Sequence, residues 1–441
     1  MKFKITLTLL LIFIAANLSS ASLLDRDVGS QQFAFSARSL SMGSVGIASK
    51  QGILSALNNP ATLGLLHNKF RFTLTANVTK NDEDRAYPIY DSFDSYIDDA
   101  VYVSNAHIFD KYFGGLYYNW NLASMRLTTA FNFASLYDFN FKYEEEMRNN
   151  EKTDNDNEPK KIANNIYKGN GEIYAYSPEI ALTLENENSL ISSLSFGIGI
   201  SYLNGENKTD STIIFTDWAK EQMLNDPDSL RDTTYTMKNK YSGIRYQGGF
   251  IVGLGERVNI GFSYTHKTEL TKEYKTNSDT VWADTTIYYP TKFGIGFEYH
   301  PRNVWDTKFS IEARLVKWSD YNDSYYDVIE YSAGVEHIMH NGIPIRLGFR
   351  YQPSGRDEEV TLIAFSAGTS INLPYNLALD LGAEIGKINY NEKDLFPDSY
   401  YANENLWDYN PQYDTLPEDR KNYDKIKDFM INAMATISWR F

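Results

Sequence analysis

The amino-acid sequence predicts an all-β chain: a transmembrane antiparallel β-barrel of about 14 strands, with an N-terminal hatch segment plugging its lumen. Three observations carry that expectation: the pattern of the last strand, the parity of the connection lengths, and an amino terminus that reads as an export signal. Phe429, Ile431, Ala433, Ala435, Ile437, Trp439 and Phe441 form one apolar face, and Met430, Asn432, Met434, Thr436, Ser438 and Arg440 form a mostly polar opposite face. Successive side chains on a strand point to opposite sides, so this segment meets two different solvents, lipid outside and a polar lumen within. The strand ends on an aromatic residue, Phe441, which makes the barrel-assembly machinery of the outer membrane an expected partner.

Lys2 and Lys4, the apolar run Ile5 to Ala16 and the small residues Ser19-Ser20-Ala21 read as a signal peptide over 1–21, with a mature start near Ser22. That run is too short for a spanning helix, and no later segment approaches the roughly 20 apolar residues one requires. A net charge of −15 argues against nucleic acid as a partner. The absence of Cys excludes disulfides, thiolate nucleophiles and Cys-ligated metals. The 33 Tyr and 25 Phe suit a barrel whose rings gather at two membrane interfaces. The expected location is the bacterial outer membrane.

Alternation places the barrel over 69–441, with strands near 69–79, 112–121, 124–137, 172–185, 190–205, 240–254, 257–270, 290–301, 305–318, 328–340, 343–352, 358–371, 376–390 and 428–441. Connections after even-numbered strands are tight, such as Leu122-Ala123, Gly255-Glu256 and Asn341-Gly342. Those after odd-numbered strands include 80–111, 138–171, 206–239 and 391–427, which are long and acidic. Sorting by parity is the mark of short periplasmic turns and long external loops. Within those loops, Ser92 to Val103 (Phe93, Ile97, Ala100 and Val101 on one side) and Thr212 to Leu224 (Ile214, Trp218, Met223 and Leu224) have helical spacing. Local packing accounts for both, and an apolar docking surface at the barrel mouth is the functional alternative.

On the inner face, Glu298, Glu312, Arg314, Glu336, Arg346, Arg350, Asp380, Glu384 and Arg440 should form a charge network that braces the wall or holds a plug; a selectivity ring is the alternative. Gly197, Gly199, Gly243, Gly249, Gly261, Gly294, Gly296, Gly348, Gly382 and Gly386 share that face. They leave room for something inside, unless they only ease the coiling of the strands. The segment 22–68 is the expected occupant. Gly43 and Gly46 permit close backbone approach there, and Asn59-Pro60 marks a turn.

The run Ala37 to Ala48, the motif Asn59-Pro60-Ala61, and the stretch from Tyr289-Pro290-Thr291-Lys292-Phe293-Gly294-Ile295-Gly296 to Trp318 resemble the FadL superfamily of outer-membrane proteins. The architecture covers the whole mature chain, the specific motif only about thirty residues. The resemblance implies a hatch over 22–68 and passive diffusion of hydrophobic molecules, long-chain fatty acids or aromatic hydrocarbons. They would pass from an external groove to a lumen pocket and leave sideways through a gap at a kinked strand, with the hatch moving. No energy source is required, because an apolar ligand gains on entering the bilayer. The third strand, Ser124 to Tyr137, carries no Gly or Pro to mark a kink, so the lateral gap is expected near Pro178 of the fourth; a harmless bulge is the alternative. The Met42-Gly43…Gly46 pattern is similar also to PorV-type members, which hold and hand on proteins in type IX secretion.

No catalytic or metal site is expected. His337 and His340 fall on opposite faces of a strand, and His67, His107, His266 and His300 are scattered. An enzyme is therefore not expected, nor a cofactor. Partners should be outer-membrane lipid and a hydrophobic small-molecule ligand, with the protein acting as a monomer. A structural or receptor barrel with a sealed lumen stands as the third function class. An apolar pocket would be built around Phe33, Phe35, Met42 and Ile47.

Overall fold

The computed structural model of the protein describes residues 23–93, 95–122, 125–148, 160–186, 189–222, 230–302, 306–396 and 423–440. The leader, Met223, Leu224 and Phe441 lie outside the described residues. Fourteen antiparallel strands close into a barrel. In chain order they are β1 (Phe70–Tyr90), β2 (Tyr96–Leu122), β3 (Met125–Asp138 and Phe141–Arg148), β4 (Lys161–Glu185), β5 (Ile191–Phe215), β6 (Thr233–Leu254) and β7 (Val258–Thr265 and Thr268–Thr276). The second half comprises β8 (Ala283–Tyr289 and Thr291–Tyr299), β9 (Thr307–Lys317), β10 (Val328–Ile338), β11 (Pro344–Pro353), β12 (Thr361–Leu373), β13 (Leu377–Lys393) and β14 (Tyr423–Arg440). β14 closes the barrel on β1 in a continuous register from Lys425↔Ala86 to Arg440↔Arg71.

The barrel closes because a sheet in lipid can leave no backbone edge unpaired. Its outward positions are apolar: Leu74, Trp120, Phe131, Ile198, Ile311, Phe365 and Trp439 are all exposed, while the alternating neighbours Thr73, Thr75, Ser195, Glu312, Ser366 and Ser438 are buried. Such a belt of exposed apolar side chains would be untenable in water over this extent, and here it is the lipid-facing surface. The fold places the protein in the bacterial outer membrane.

Several strands run far beyond the expected boundaries. β1 and β2 pair out to Tyr90↔Tyr96, and β5 and β6 out to Ile213↔Thr233. Above the bilayer the outer face of a strand meets water instead of lipid, so apolar–polar alternation disappears from the sequence while the hydrogen-bonded ladder continues. This corrects the helix expected over Ser92 to Val103. Ile97, Ala100 and Val101 lie in β2, where Ala100 and Val101 pair with Tyr87 and Ala86. In the second expected helix, Thr212 to Phe215 belong to β5, and a helix covers Asp217–Gln222.

A depth test follows from this assignment. Ile198 is 61% exposed on the outer face of β5. Ile198→Arg should cost about 2–4 kcal/mol in refolding into bilayers, the range for a charge on the lipid face near the midplane. A change within about 0.5 kcal/mol, the usual cost at a water-facing surface position, would contradict the assignment.

Candidate functional site

The segment from Leu23 to Leu66 packs inside the barrel, where most of it is buried. It is built from short pieces: a helix Ala37–Ser41 capped by Ser36, whose side chain accepts from the Ser39 N–H, and 3-10 turns Ile53–Leu57 and Pro60–Leu65. Such short turns satisfy few of their own backbone groups, so the wall must supply partners. Glu312 of β9 accepts from the N–H groups of Gly46 (2.9 Å), Ile47 (2.6 Å) and Ala48 (3.4 Å). Wall side chains also donate to the carbonyls of Ala56 (Gln247, 2.6 Å), Leu57 (Arg245, 3.0 Å) and Ala61 (Ser195, 2.9 Å). Asn59 joins three pieces: its Oδ1 accepts from Ala61 N–H, and its Nδ2 donates to Ile47 O (2.7 Å) and to Phe262 O of the wall (3.2 Å). Pro60 occupies the first helical position, where no N–H is required.

Close approach depends on inward glycines. A Cβ at Gly197 would overlap the Pro60–Ala61 backbone, one at Gly261 the Ile47 carbonyl, one at Gly348 the Met42–Gly43 backbone, and one at Gly382 the Ala37 carbonyl. Gly43 is also held at φ 71°, where a side chain is disfavoured, and its own Cβ would strike the carbonyls of Ala333 and Phe349. Gly199, Gly243 and Gly386 instead face neighbouring wall residues.

The inner charges pair locally. Arg346 meets Glu336 (2.6 Å) and Asp380 (3.2 Å), Arg350 meets Glu384 (2.7 Å), and Arg314 meets Glu330 (3.4 Å). Arg38 of the inner segment reaches Glu336 at 2.7 Å. Glu298 bonds Asn259 and His300. Among the described residues, Arg440 makes no ion pair with an acid.

Among the described residues, cavities lie between segment and wall, two of which bear on the site. The larger, about 110 Å³, is lined by Phe33, Ala34, Leu40, Trp318, Leu362, Ile388 and Met430, with Lys111 and Arg350 at its polar side. Asp25 also lines it, and burial pushes its carboxyl up to about 6. The smaller, about 30 Å³, is lined by Phe35, Leu136 and Tyr137 with three cations, Arg245, Lys292 and Arg314. Phe33 and Phe35 thus line cavities. Met42 and Ile47 do not: Met42 packs against Gly334 and Gly348, and Ile47 against Gly261 and Gly294. Aromatic rings run from the outer mouth towards the smaller cavity through Trp318–Tyr321 (6.4 Å), Tyr321–Tyr289 (5.9 Å) and Tyr289–Tyr137 (3.9 Å). Arg245 and Lys292 were within reach of the same alternation that picks out Glu298 and Arg314.

Backbone pairing in the wall is interrupted beside β3. The β2–β3 ladder extends only from Leu122↔Met125 to Gly114↔Phe133. Beyond it Ala134 to Phe141 are all buried, where a wall strand would alternate. β3 has turned inward: Ser30 and Gln31 of the inner segment pair with Asp138 and Tyr137, and Gln32 N–H donates to Leu136 O (2.9 Å). Between β2 and the outer arm of β3, the Asn105 side chain bridges to the Glu144 backbone in both directions at 3.1 Å. The ladder of Pro178 itself stays paired to β3, and the interrupted ladder is the one between β2 and β3. Pro178 faces outward and faces Phe131 of β3; its ladder to β5 skips only from Tyr176↔Tyr202 to Glu179↔Gly199. The inward turn needs neither Gly nor Pro, because Ser30–Gln32 takes over the edge that β2 leaves.

No family model matches the chain, and no curated protein matches it either. Solved structures do. The Ralstonia pickettii toluene transporter TbuX is 14% identical, over 93% of this chain and 99% of that one, with a TM-score of 0.54. The Pseudomonas putida toluene transporter TodX is 12% identical over 93% and 99%, TM-score 0.54. A Pseudomonas aeruginosa FadL homologue is 11% identical over 94% and 100%, TM-score 0.56. At these identities the likeness is one of fold, and it spans 99–100% of those chains and 93–94% of this one: this chain has the fold of a FadL-type outer-membrane transport barrel.

Two variants test how the inner segment is held. Glu312→Ala leaves the Gly46–Ala48 N–H groups without their acceptor and should lower stability by about 3 kcal/mol, read as the midpoint of urea unfolding in detergent. Gly348→Val should prevent the segment from seating, read as new protease cleavage within 23–68; an uncut, wild-type pattern would contradict the packing.

Proposed function

We propose that the protein is a passive channel for small hydrophobic molecules, with residues 22–68 acting as its hatch. One observation carries the reading: the wall lacks its ladder between β2 and β3 outside Gly114↔Phe133, where β3 folds into the lumen. A structural barrel gains nothing from that break, since unpaired strand edges at membrane depth cost several kcal/mol per group unless something lines them. The aromatic series from Trp318 to Tyr137 and the cavity at Phe33 lead from the outer mouth to the break. A ligand following that path reaches lipid without crossing the periplasmic end of the lumen.

The size and charge of the cavities bear on the ligand. At about 110 Å³ the larger one approaches a space that holds a single aromatic ring, on the order of 150 Å³. TbuX and TodX are described as toluene transporters, which fits that size. The basic lining of the smaller cavity favours a molecule that also bears a carboxylate, such as a fatty acid. A long acyl chain requires the inner segment to shift.

A second reading has one observation of its own. Phe93 is 87% exposed, with Ile97 at 58% and Val101 at 54%, on the β1–β2 hairpin that projects beyond the bilayer. Apolar side chains there suit a protein-binding rim of the PorV kind.

The chain contains no Cys, so an introduced pair forms without competitors. Gln32→Cys with Leu136→Cys bridges facing residues at the inward turn, and oxidation would fasten the inner segment to β3. Uptake of labelled toluene and of labelled palmitate by expressing cells should fall about tenfold on oxidation and recover with dithiothreitol. Uptake unchanged by the crosslink would contradict the route. Arg245→Gln with Lys292→Met should reduce palmitate uptake and spare toluene.

A further inference from the structure

The protein carries a net charge of −15, yet the floor of its lumen, at the end of the short turns, gathers cations. Arg71 of β1 and Arg440 of β14 are directly opposite each other across the seam that closes the barrel. Like charges facing each other across two strands are destabilising. Neither gives an ion pair with an acid among the described residues, and the Nε atoms of both are buried without a hydrogen-bond partner. Lys50 of the inner segment sits among Arg38, Arg71, Lys308 and Arg440. Burial together with those four cations pulls its ammonium down to about 8. The acids on this floor are already shared: Glu336 serves Arg38, Lys308 and Arg346, and Asp380 serves Arg346. A cleft of about 490 Å³, lined by Asn68, Asn372, Tyr375, Asn376 and Arg440, opens beside the seam. Tyr375 and Trp439 are exposed around it, as rings at a membrane interface are.

We propose that Lys50, Arg71 and Arg440 hold a phosphate-type oxyanion at the periplasmic end of the lumen. The anion joins the inner segment to the β14–β1 seam and neutralises a pair that otherwise repels. Arginine forks suit the oxygens of phosphate, and the ammonium of Lys50 adds a point charge. Two sources share that chemistry: inorganic phosphate entering from the periplasm, and the phosphodiester of an inner-leaflet phospholipid lodged in the cleft. The site stands apart from the interrupted ladder and does not depend on the transport reading.

The experiment is thermal unfolding of the full-length, detergent-purified protein at constant ionic strength, in chloride, with inorganic phosphate, and with dihexanoyl phosphatidylglycerol. In the wild type, phosphate or the lipid should raise the melting temperature saturably, by about a few degrees, whereas chloride should not. A response to inorganic phosphate assigns the free anion; a response to the lipid alone assigns the headgroup. Arg71→Gln and Arg440→Gln should abolish the response. In chloride, Lys50→Met should melt above the wild type, because removing one of several facing cations relieves repulsion. Wild type and variants responding alike, or none responding, would overturn the site. Lys50→Met melting below the wild type in chloride would overturn the repulsion on which it rests.

Discussion

Everything inside this barrel depends on one constraint: a segment of irregular backbone is enclosed where little water can reach it, so its N–H and C=O groups must be met by side chains of the wall. The Glu312 carboxylate answers it most directly. It lies against three consecutive backbone N–H groups at Gly46, Ile47 and Ala48, an arrangement in which a buried charge and a turn of unpaired donors satisfy each other. Asn59 does the same for a junction of two turns and a wall strand. Neither residue acts as an isolated contact, since each fixes where the chain on both sides of it can run.

The wall is shaped to match. Side chains that reach inward to hold the segment need it close, and the inward glycines at Gly197, Gly261, Gly348 and Gly382 allow that distance. The ion pairs among Glu336, Arg346, Asp380, Arg350 and Glu384 then fill the polar space left between strands. Buried pairs of this kind add little net stability, but losing one partner strands the other, so they define a single arrangement. The same N-terminal segment accounts for the break in the wall. Ser30–Gln32 offers β3 a backbone partner inside the lumen, which lets β3 leave β2 without abandoning its hydrogen bonds.

Much of this was legible in the residues. Alternation from Phe429 to Arg440 marks the strand, its two faces and the side that meets lipid, because membrane and lumen impose opposite chemistry at a spacing of two. The inner charges and glycines followed from the same rule. It failed where that contrast ends. Tyr96 to Val103 form a strand in water, so their spacing resembled a helix. The inward turn at Ala134 to Phe141 left no mark, because it is produced by pairing with Ser30–Gln32, more than a hundred residues away in sequence. Pro178 is a strong backbone signal on the neighbouring strand, yet it disturbs no more than a short stretch of ladder. Met42 and Ile47 were apolar enough for a pocket, but whether an apolar side chain lines a cavity or fills one is decided by the facing wall, here by glycine.

The most direct test of the account is photolabelling in native membranes with a diazirine-bearing fatty acid, with labelled residues located by mass spectrometry. If ligand leaves through the wall, labels should fall on Trp318 and Phe33, on Ala134 to Phe141, and on the outer side of β2 and β3 near Gly114 and Phe133. Labels confined to the extracellular hairpins and the general lipid-facing belt, with none on the inward turn of β3, would contradict a lateral route and favour a barrel that works through its rim.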